Sequence, residues 1–124
     1  MNTNYKVLLV DDEDEFVSTL AERLEMRGYS TNVAYDGEEA LESIETEMPA
    51  VVILDIKMPG LNGIEVLKRL LNLDPGLPVL LLTGYGSTEE GMQGMQIGAF
   101  DYMMKPLNID ELIKKMEEAI SAKS

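Results

Sequence analysis

The sequence predicts an α/β fold with a doubly wound parallel sheet, and three observations support this prediction. Short apolar runs recur along the chain and alternate with segments whose apolar residues have helical spacing. Three of the runs are apolar almost throughout, which is typical of parallel strands covered on both faces. Right-handed crossovers between such strands give a doubly wound sheet, whose ligand site lies at the carboxyl ends of the strands.

Five strands are predicted, each followed by a helix. The strongly apolar runs are YKVLLV (5–10), AVVIL (50–54) and PVLLL (78–82), and the weaker ones are STNVAY (30–35) and AFDYMM (99–104). Apolar residues with helical spacing predict the helices. In chain order they are Phe16, Leu20 and Leu24 in the first helix, Leu41 and Ile44 in the second, Ile64, Leu67 and Leu71 in the third, and Leu112, Met116 and Ile120 in the fifth; the fourth helix is predicted over residues 87–98.

Local signals at the ends of these segments support the helix boundaries. Four candidate capping residues stand three positions before a glutamate, namely Asp36, Asn62, Ser87 and Asn108. Gly28 and the segment LDPGLP (73–78) supply stop signals after the first and third helices.

Composition limits the classes of function. A chain of 124 residues suffices for one core, so we expect a single domain over residues 1–124 with no output domain. The net charge of −13 should repel nucleic acid and anionic lipid. The chain has no cysteine, membrane-spanning run or leader, so we expect a cytoplasmic location. It also has no histidine, which excludes a Ser-His-Asp triad within the chain.

Polar residues follow four of the predicted strands. Asp11 and Asp12 end the first strand, Asp55 follows the third, Thr83 follows the fourth and Lys105 lies just beyond the fifth. If these strands are neighbours, the residues meet at one edge, where clustered carboxylates need a hard cation such as Mg²⁺. An aspartate beside Mg²⁺ can attack phosphorus and form an acyl phosphate, while a lysine and a hydroxyl take up charge. Asp55 is the single acid at its strand end and is therefore the predicted nucleophile.

The sequence resembles the receiver domains of two-component response regulators over essentially its whole length. The matching elements are VDDE (10–13), LDIKMPGLNG (54–63), LLTGYG (81–86) and DYMMKP (101–106). The resemblance implies a flavodoxin-like (βα)5 fold with strand order 2-1-3-4-5.

The resemblance also implies a reaction at the predicted metal site. Asp55 would accept a phosphoryl group from a phosphohistidine on a sensor histidine kinase or a histidine phosphotransfer protein. Mg²⁺ would be held by Asp11, Asp12 and Asp55 together with the backbone carbonyl of Lys57. The chain would catalyse only its own phosphotransfer and autodephosphorylation, so it would not be an enzyme with turnover.

Further residues gain roles from the same resemblance. Lys105 would pair with the phosphoryl group, Thr83 would rotate to hydrogen-bond it, and Tyr102 would turn inward when Thr83 moves. The bond between Lys105 and Pro106 resembles a cis-proline of the family. The surface of residues 87–121 would then change to regulate a downstream protein or an output domain, and phosphorylation-dependent homodimerisation is consistent with the resemblance. Lys57 and Tyr85 flank the expected route of attacking water, which predicts slow autodephosphorylation.

Several residues also have purely structural interpretations. Asp12 fits a helix cap with Glu15, Thr83 alone is a strand-end turn former, and Lys105 alone is an exposed charge. Tyr102 is open to a packing role. Gly91 and Gly94 either weaken the fourth helix or allow close packing, and most of Met92, Met95, Met103 and Met104 are expected in the core.

Three other functions compete with a phosphorylation switch. A receiver-like module could bind protein partners without phosphorylation, but the complete set of strand-end residues disfavours it. A Mg²⁺ phosphohydrolase would need a second acid two residues after its nucleophile, where this chain has Lys57. A flavin-binding protein would need a hydroxyl-rich phosphate loop where this chain has acids.

Overall fold

Strands and helices alternate through the whole described chain. The protein is represented by a computed structural model that describes residues 5–57, 62–84 and 88–123. In these ranges the elements are β1 (Lys6–Val10), α1 (Asp14–Met26), β2 (Ser30–Ala34), α2 (Gly37–Thr46), β3 (Val51–Asp55), α3 (Gly63–Leu73), β4 (Val79–Thr83), α4 (Thr88–Ile97), β5 (Asp101–Met104) and α5 (Ile109–Lys123).

The strands form one parallel sheet in the order β2-β1-β3-β4-β5. Both the fold class and the strand order are therefore confirmed. Val10 pairs with Leu54, and Asp55 pairs with Leu82, so the carboxyl ends of β1, β3 and β4 lie side by side. The order reverses between β1 and β3, which is where open sheets of this type place a ligand crevice.

Apolar side chains cover the sheet on both faces. Alternate strand residues such as Val10 and Leu54 pack with α2 and α3, whereas Leu9 and Ile53 pack with α1 and α5. Nearly all of these side chains are fully buried. Burial on both faces explains why β1, β3 and β4 are apolar throughout rather than alternating in polarity.

Side-chain caps begin three of the helices as predicted. Asp36, Asn62 and Asn108 each accept a hydrogen bond from the backbone N–H three residues later, at 2.8 to 3.0 Å. Ser87 lies outside the described residues. The capping interpretation of Asp12 is wrong, because α1 begins after Glu13 and no side chain of the described residues caps it.

The glycines of α4 allow close packing. A Cβ atom at position 91 would lie 2.5 Å from Cδ2 of Tyr102, and one at position 94 would overlap Cδ1 of Leu81. Both glycines are buried. Of the two interpretations of these glycines, close packing against a neighbour is therefore observed.

The prediction that most methionines of this region lie in the core is wrong. Met103 is buried, but Met92, Met95 and Met104 are 39 to 59% exposed. α4 and the edge strand β5 carry these three side chains on surfaces that no other described element covers, so helical or strand periodicity alone did not reveal the outward face.

Candidate phosphorylation site

The sheet register brings two acids together at its carboxyl edge. Asp11 directly follows the Val10–Leu54 pair of β1 and β3, and Asp55 is the next residue of β3 after Leu54. Asp11 and Asp55 are 2% and 5% exposed, respectively. Two carboxylates buried side by side repel each other and lack full hydration, so this arrangement needs positive charge.

Lys105 supplies part of that charge from the end of β5. Its Nζ atom lies 2.9 Å from Oδ2 of Asp11 and 3.5 Å from Oδ2 of Asp55, and it also contacts Oε1 of Glu13. The ammonium lies 4.3 Å from the centroid of the Phe16 ring. The interpretation of Lys105 as an isolated exposed charge is therefore wrong, since its side chain is only 18% exposed.

The electrostatics of the site follow from burial and from these contacts. Burial and, after it, repulsion from Asp11 raise the pKa of Asp55 to about 6, against the opposing effects of Lys105 and the Lys57 backbone N–H. Burial alone would lower the pKa of Lys105, but the adjacent carboxylates of Glu13, Asp11 and Asp55 outweigh it and raise that pKa. The lysine therefore remains an ammonium at neutral pH.

The carboxylates also fit a divalent cation. One oxygen from each of Asp11, Asp12 and Asp55 lies within 4.8 Å of the others, and Asp12 is exposed at the mouth of the site. Although Lys105 Nζ is near Oδ2 of Asp11, that buried oxygen accepts no properly directed hydrogen bond from the described residues. A buried oxygen without a donor and two further carboxylates match the oxygen ligands that Mg²⁺ prefers.

Lys57 lies at the edge of this cluster. Its backbone N–H donates to Oδ1 of Asp55 at 3.1 Å, and its side chain approaches Glu90 of α4 at 3.9 Å. An open cavity of about 390 Å³ is lined by Lys57, Gly84 and Lys105 together with the acids Asp12, Glu13 and Asp55. Such a cavity leaves room for a phosphoryl group beside Asp55. Tyr85, the other residue expected along the water route, lies outside the described residues.

Thr83 lies on the face of the sheet that packs with α2 and α3. It lies on the same face of β4 as Val79 and Leu81, whose side chains pack with α3, and its hydroxyl donates to the Met103 carbonyl at 3.5 Å. Thr83 is fully buried at the end of β4. Tyr102 packs on that same face, with its ring against Gly91 of α4. Thr83 and Tyr102 thus share one face of the sheet, where Tyr102 contacts α4; their switching remains a prediction.

Glu13 and Phe16 contact Lys105, although the sequence predicts no functional role for either residue. Glu13 is one of five consecutive acids at positions 11–15, and Phe16 was interpreted as a core position of α1. The backbone N–H of Glu13 donates to Oδ1 of Asp11 at 2.9 Å, which directs the loop so that its side chain reaches Lys105. A prediction of this contact would have required the conformation of the loop between β1 and α1.

Comparison with known proteins identifies the family to which this fold and site belong. The sequence pattern of the response regulator receiver domain matches residues 7–117. The chain therefore belongs to the family of response regulator receiver domains. These are signalling domains of two-component systems, in which phosphorylation conveys a signal from a histidine kinase.

Curated relatives are longer than this chain. It is 43% identical over 109 residues to the alkaline phosphatase synthesis transcriptional regulatory protein PhoP of Bacillus subtilis, covering 88% of this chain and 45% of PhoP. It is 40% identical over 111 residues to the response regulator MprA of Mycolicibacterium vanbaalenii, covering 90% of this chain and 48% of MprA. The chain thus spans about half the length of these relatives.

Solved structures of receiver domains match over nearly the whole chain. The receiver domain of the Francisella response regulator 1452 is 37% identical with a TM-score of 0.88, over 98% of this chain and all of that one. A CheY-like receiver domain protein from Methanospirillum hungatei is 32% identical with a TM-score of 0.90, over 97% and 96% of the two chains.

The cis peptide bond between Lys105 and Pro106 agrees with the family resemblance. In the described part of the chain, no helix combines the length and apolar character needed to cross a membrane.

Proposed function

We propose that residues 1–124 act as one receiver domain that is switched by Mg²⁺-dependent phosphorylation of Asp55. The observation that supports this most strongly is the joint position of three acids and one lysine. The oxygens of Asp11, Asp12 and Asp55 lie within 4.8 Å of one another, and Lys105 Nζ is 3.5 Å from Asp55. A nucleophilic carboxylate, ligands for a hard cation and a cation for the phosphoryl oxygens are the groups that phosphoryl transfer needs.

The proposed reaction moves a phosphoryl group from nitrogen to oxygen. A carboxylate oxygen of Asp55 forms a bond to phosphorus as the bond to the donor histidine nitrogen breaks, and the leaving imidazole takes up a proton. Since this chain has no histidine, the donor belongs to a partner, either a sensor histidine kinase or a histidine phosphotransfer protein. The product is an aspartyl phosphate, and the domain returns to its starting state when water hydrolyses it.

Residues of this chain would prepare Asp55 for that reaction. The backbone N–H of Lys57 orients its carboxylate by a hydrogen bond of 3.1 Å. Asp11, Asp12 and Asp55, with the backbone carbonyl of Lys57, would hold Mg²⁺, which when bound supplies positive charge against the phosphoryl oxygens. Lys105, whose Nζ atom is 3.5 Å from Asp55, would neutralise further charge.

The output of the switch would be carried by α4, β5 and α5. Thr83, the last residue of β4, would rotate to hydrogen-bond the phosphoryl group, and Tyr102 of the neighbouring strand packs against Gly91 of α4. A change at Thr83 would therefore reach the 87–121 surface through packed side chains. We propose that this surface regulates a protein partner or an output domain, and that it can pair with a second copy when phosphorylated.

Intact mass after incubation with acetyl phosphate tests the proposal. The wild type should gain one phosphoryl group with Mg²⁺ and none after chelation, and Asp55→Asn should gain none. Asp110→Asn, the same substitution at an exposed position of α5, should behave like the wild type. If no condition phosphorylates the wild type, including a panel of histidine kinases, the domain acts without phosphorylation and the proposal is wrong.

A further inference from the structure

Glu13 has an interaction that the proposed reaction does not explain. It lies between β1 and α1, and its side chain is 61% exposed. An exposed glutamate ordinarily points into solvent, yet this carboxylate contacts the ammonium of Lys105. A hydrogen bond of 2.9 Å from its backbone N–H to Asp11 fixes the loop in the orientation that permits this contact.

The position of the Lys105 ammonium is biased toward α1 rather than toward Asp55. It contacts Glu13 and lies 2.9 Å from Asp11, but it is 3.5 Å from Asp55. The ring of Phe16 in α1 lies 4.3 Å away on the same side. In this structure the lysine is therefore held mainly by groups that do not react.

Phosphorylation of Asp55 would place new acceptors near this lysine. An ammonium has three donors, and phosphoryl oxygens bind such donors strongly. A cation bound by Asp11 would also weaken the attraction between Asp11 and Lys105. Glu13 is not in the group of acids whose oxygens converge within 4.8 Å, so a cation bound by that group would leave Glu13 as a competitor for Lys105.

We propose that Glu13 is a positioning residue that holds Lys105 in a resting orientation, from which the lysine must be released before it can bind the phosphoryl group. This inference rests on the proposed phosphorylation of Asp55. It assigns a regulatory contact to the third acid of the motif VDDE, in addition to the two that bind the cation.

The test compares two substitutions that change the net charge equally. Glu13→Gln removes the charge that contacts Lys105, whereas Glu15→Gln removes an exposed charge from the first turn of α1. The initial rate of phosphoryl uptake from acetyl phosphate is measured by intact mass at saturating Mg²⁺. Calorimetry gives the Mg²⁺ affinity of each protein, and circular dichroism verifies folding.

Glu13→Gln should raise the uptake rate about threefold or more, as expected from loss of one ion pair of moderate strength. Its Mg²⁺ affinity should change no more than that of Glu15→Gln, whose uptake rate should stay near the wild-type value. An unchanged or slower rate for Glu13→Gln would overturn the inference, as would an equal acceleration by both variants, which would indicate general charge repulsion. Absence of uptake by the wild type would instead overturn the proposed function and this inference with it.

Discussion

Replacement of Gly63 by alanine should strongly destabilise the protein. Gly63 begins α3, and its N–H donates to the carbonyl of Ile56 at 2.8 Å. A Cβ atom at this position would lie 2.7 Å from the carbonyl carbon of Ile56 and would overlap its Cα and oxygen. These are backbone atoms directly after Asp55, so rotation of a side chain cannot relieve the overlap.

The size of the effect follows from this geometry. Ordinary van der Waals contact begins at 3.4 Å, which is 0.7 Å more than the distance to the carbonyl carbon, and the Cα and oxygen of Ile56 are closer still. The two segments must therefore move apart by more than 0.7 Å, which stretches the hydrogen bond beyond useful geometry. Overpacking of this kind costs about 1–3 kcal/mol and loss of the hydrogen bond about 1 kcal/mol. We expect Gly63→Ala to lower the free energy of unfolding by about 2–4 kcal/mol, a large part of the stability of a small domain.

Urea unfolding followed by circular dichroism measures this change. Gly84→Ala is a matched control, because no described atom lies within 4 Å of a Cβ at that position and its φ is not positive. The control should change stability by less than about 1 kcal/mol. Surface substitutions usually change the free energy of unfolding by no more than about 0.5 kcal/mol. If Gly63→Ala lowers it by less than about that amount, the packing argument is refuted.

Three further predictions concern other parts of the fold. Burial and a 3.0 Å hydrogen bond to Glu117 raise the pKa of Tyr29 to about 12. Because this pKa is higher in the folded than in the unfolded protein, Tyr29 contributes to the free energy of unfolding below pH 10, and the contribution is lost between pH 10 and 12. The loss should be about 1 kcal/mol after solvent screening. Gly91→Ala should lower stability by about 1 kcal/mol, since its clash with Tyr102 outweighs the gain in helix propensity. Asp36→Ala should cost about 1 kcal/mol by removing the cap of α2. Urea unfolding measures all three, at pH 8 to 11 for the tyrosine.

Each of these predictions has its own control. Tyr29→Phe should remove the alkaline loss, and a loss that persists must come from other groups. In a Tyr102→Ala background, Gly91→Ala should become stabilising, and a persistent loss would show that the ring is not the obstacle. Asp36→Asn retains a capping oxygen and should remain near wild-type stability; a cost equal to that of alanine would contradict the capping argument.

Much of the fold could be predicted from the sequence because the central strands are buried on both faces. Such strands are apolar at every position, so their limits stand out, and β1, β3 and β4 were each placed within a residue. β5 was predicted two residues too early, because Ala99 and Phe100 are apolar but precede the strand. Both side chains pack against the core, and the N–H of Phe100 already donates to the Val79 carbonyl of β4 at 2.8 Å.

The site could be predicted in part for a topological reason. Parallel strands end at the same edge, so Asp11, Asp55 and Thr83 were expected together from their positions alone. The contact between Glu13 and Lys105 could not be predicted, because it depends on how a short loop turns within a run of similar acids. The outward faces of α4 and β5 were missed for a related reason, since periodicity shows that a segment has two faces but not which one remains uncovered.

The strand register has a consequence for how such a domain can vary. Asp55 and Thr83 are the last residues of five-residue strands, and each reaches the edge on the required face because of the number of residues before it. One inserted residue in either strand would turn every later side chain to the opposite face. Apolar residues within β3 and β4 can therefore be exchanged for one another, whereas insertions and deletions should be confined to the loops at the amino ends of the strands, such as residues 74–78. Strand length, more than strand composition, is the property that selection on this site would preserve.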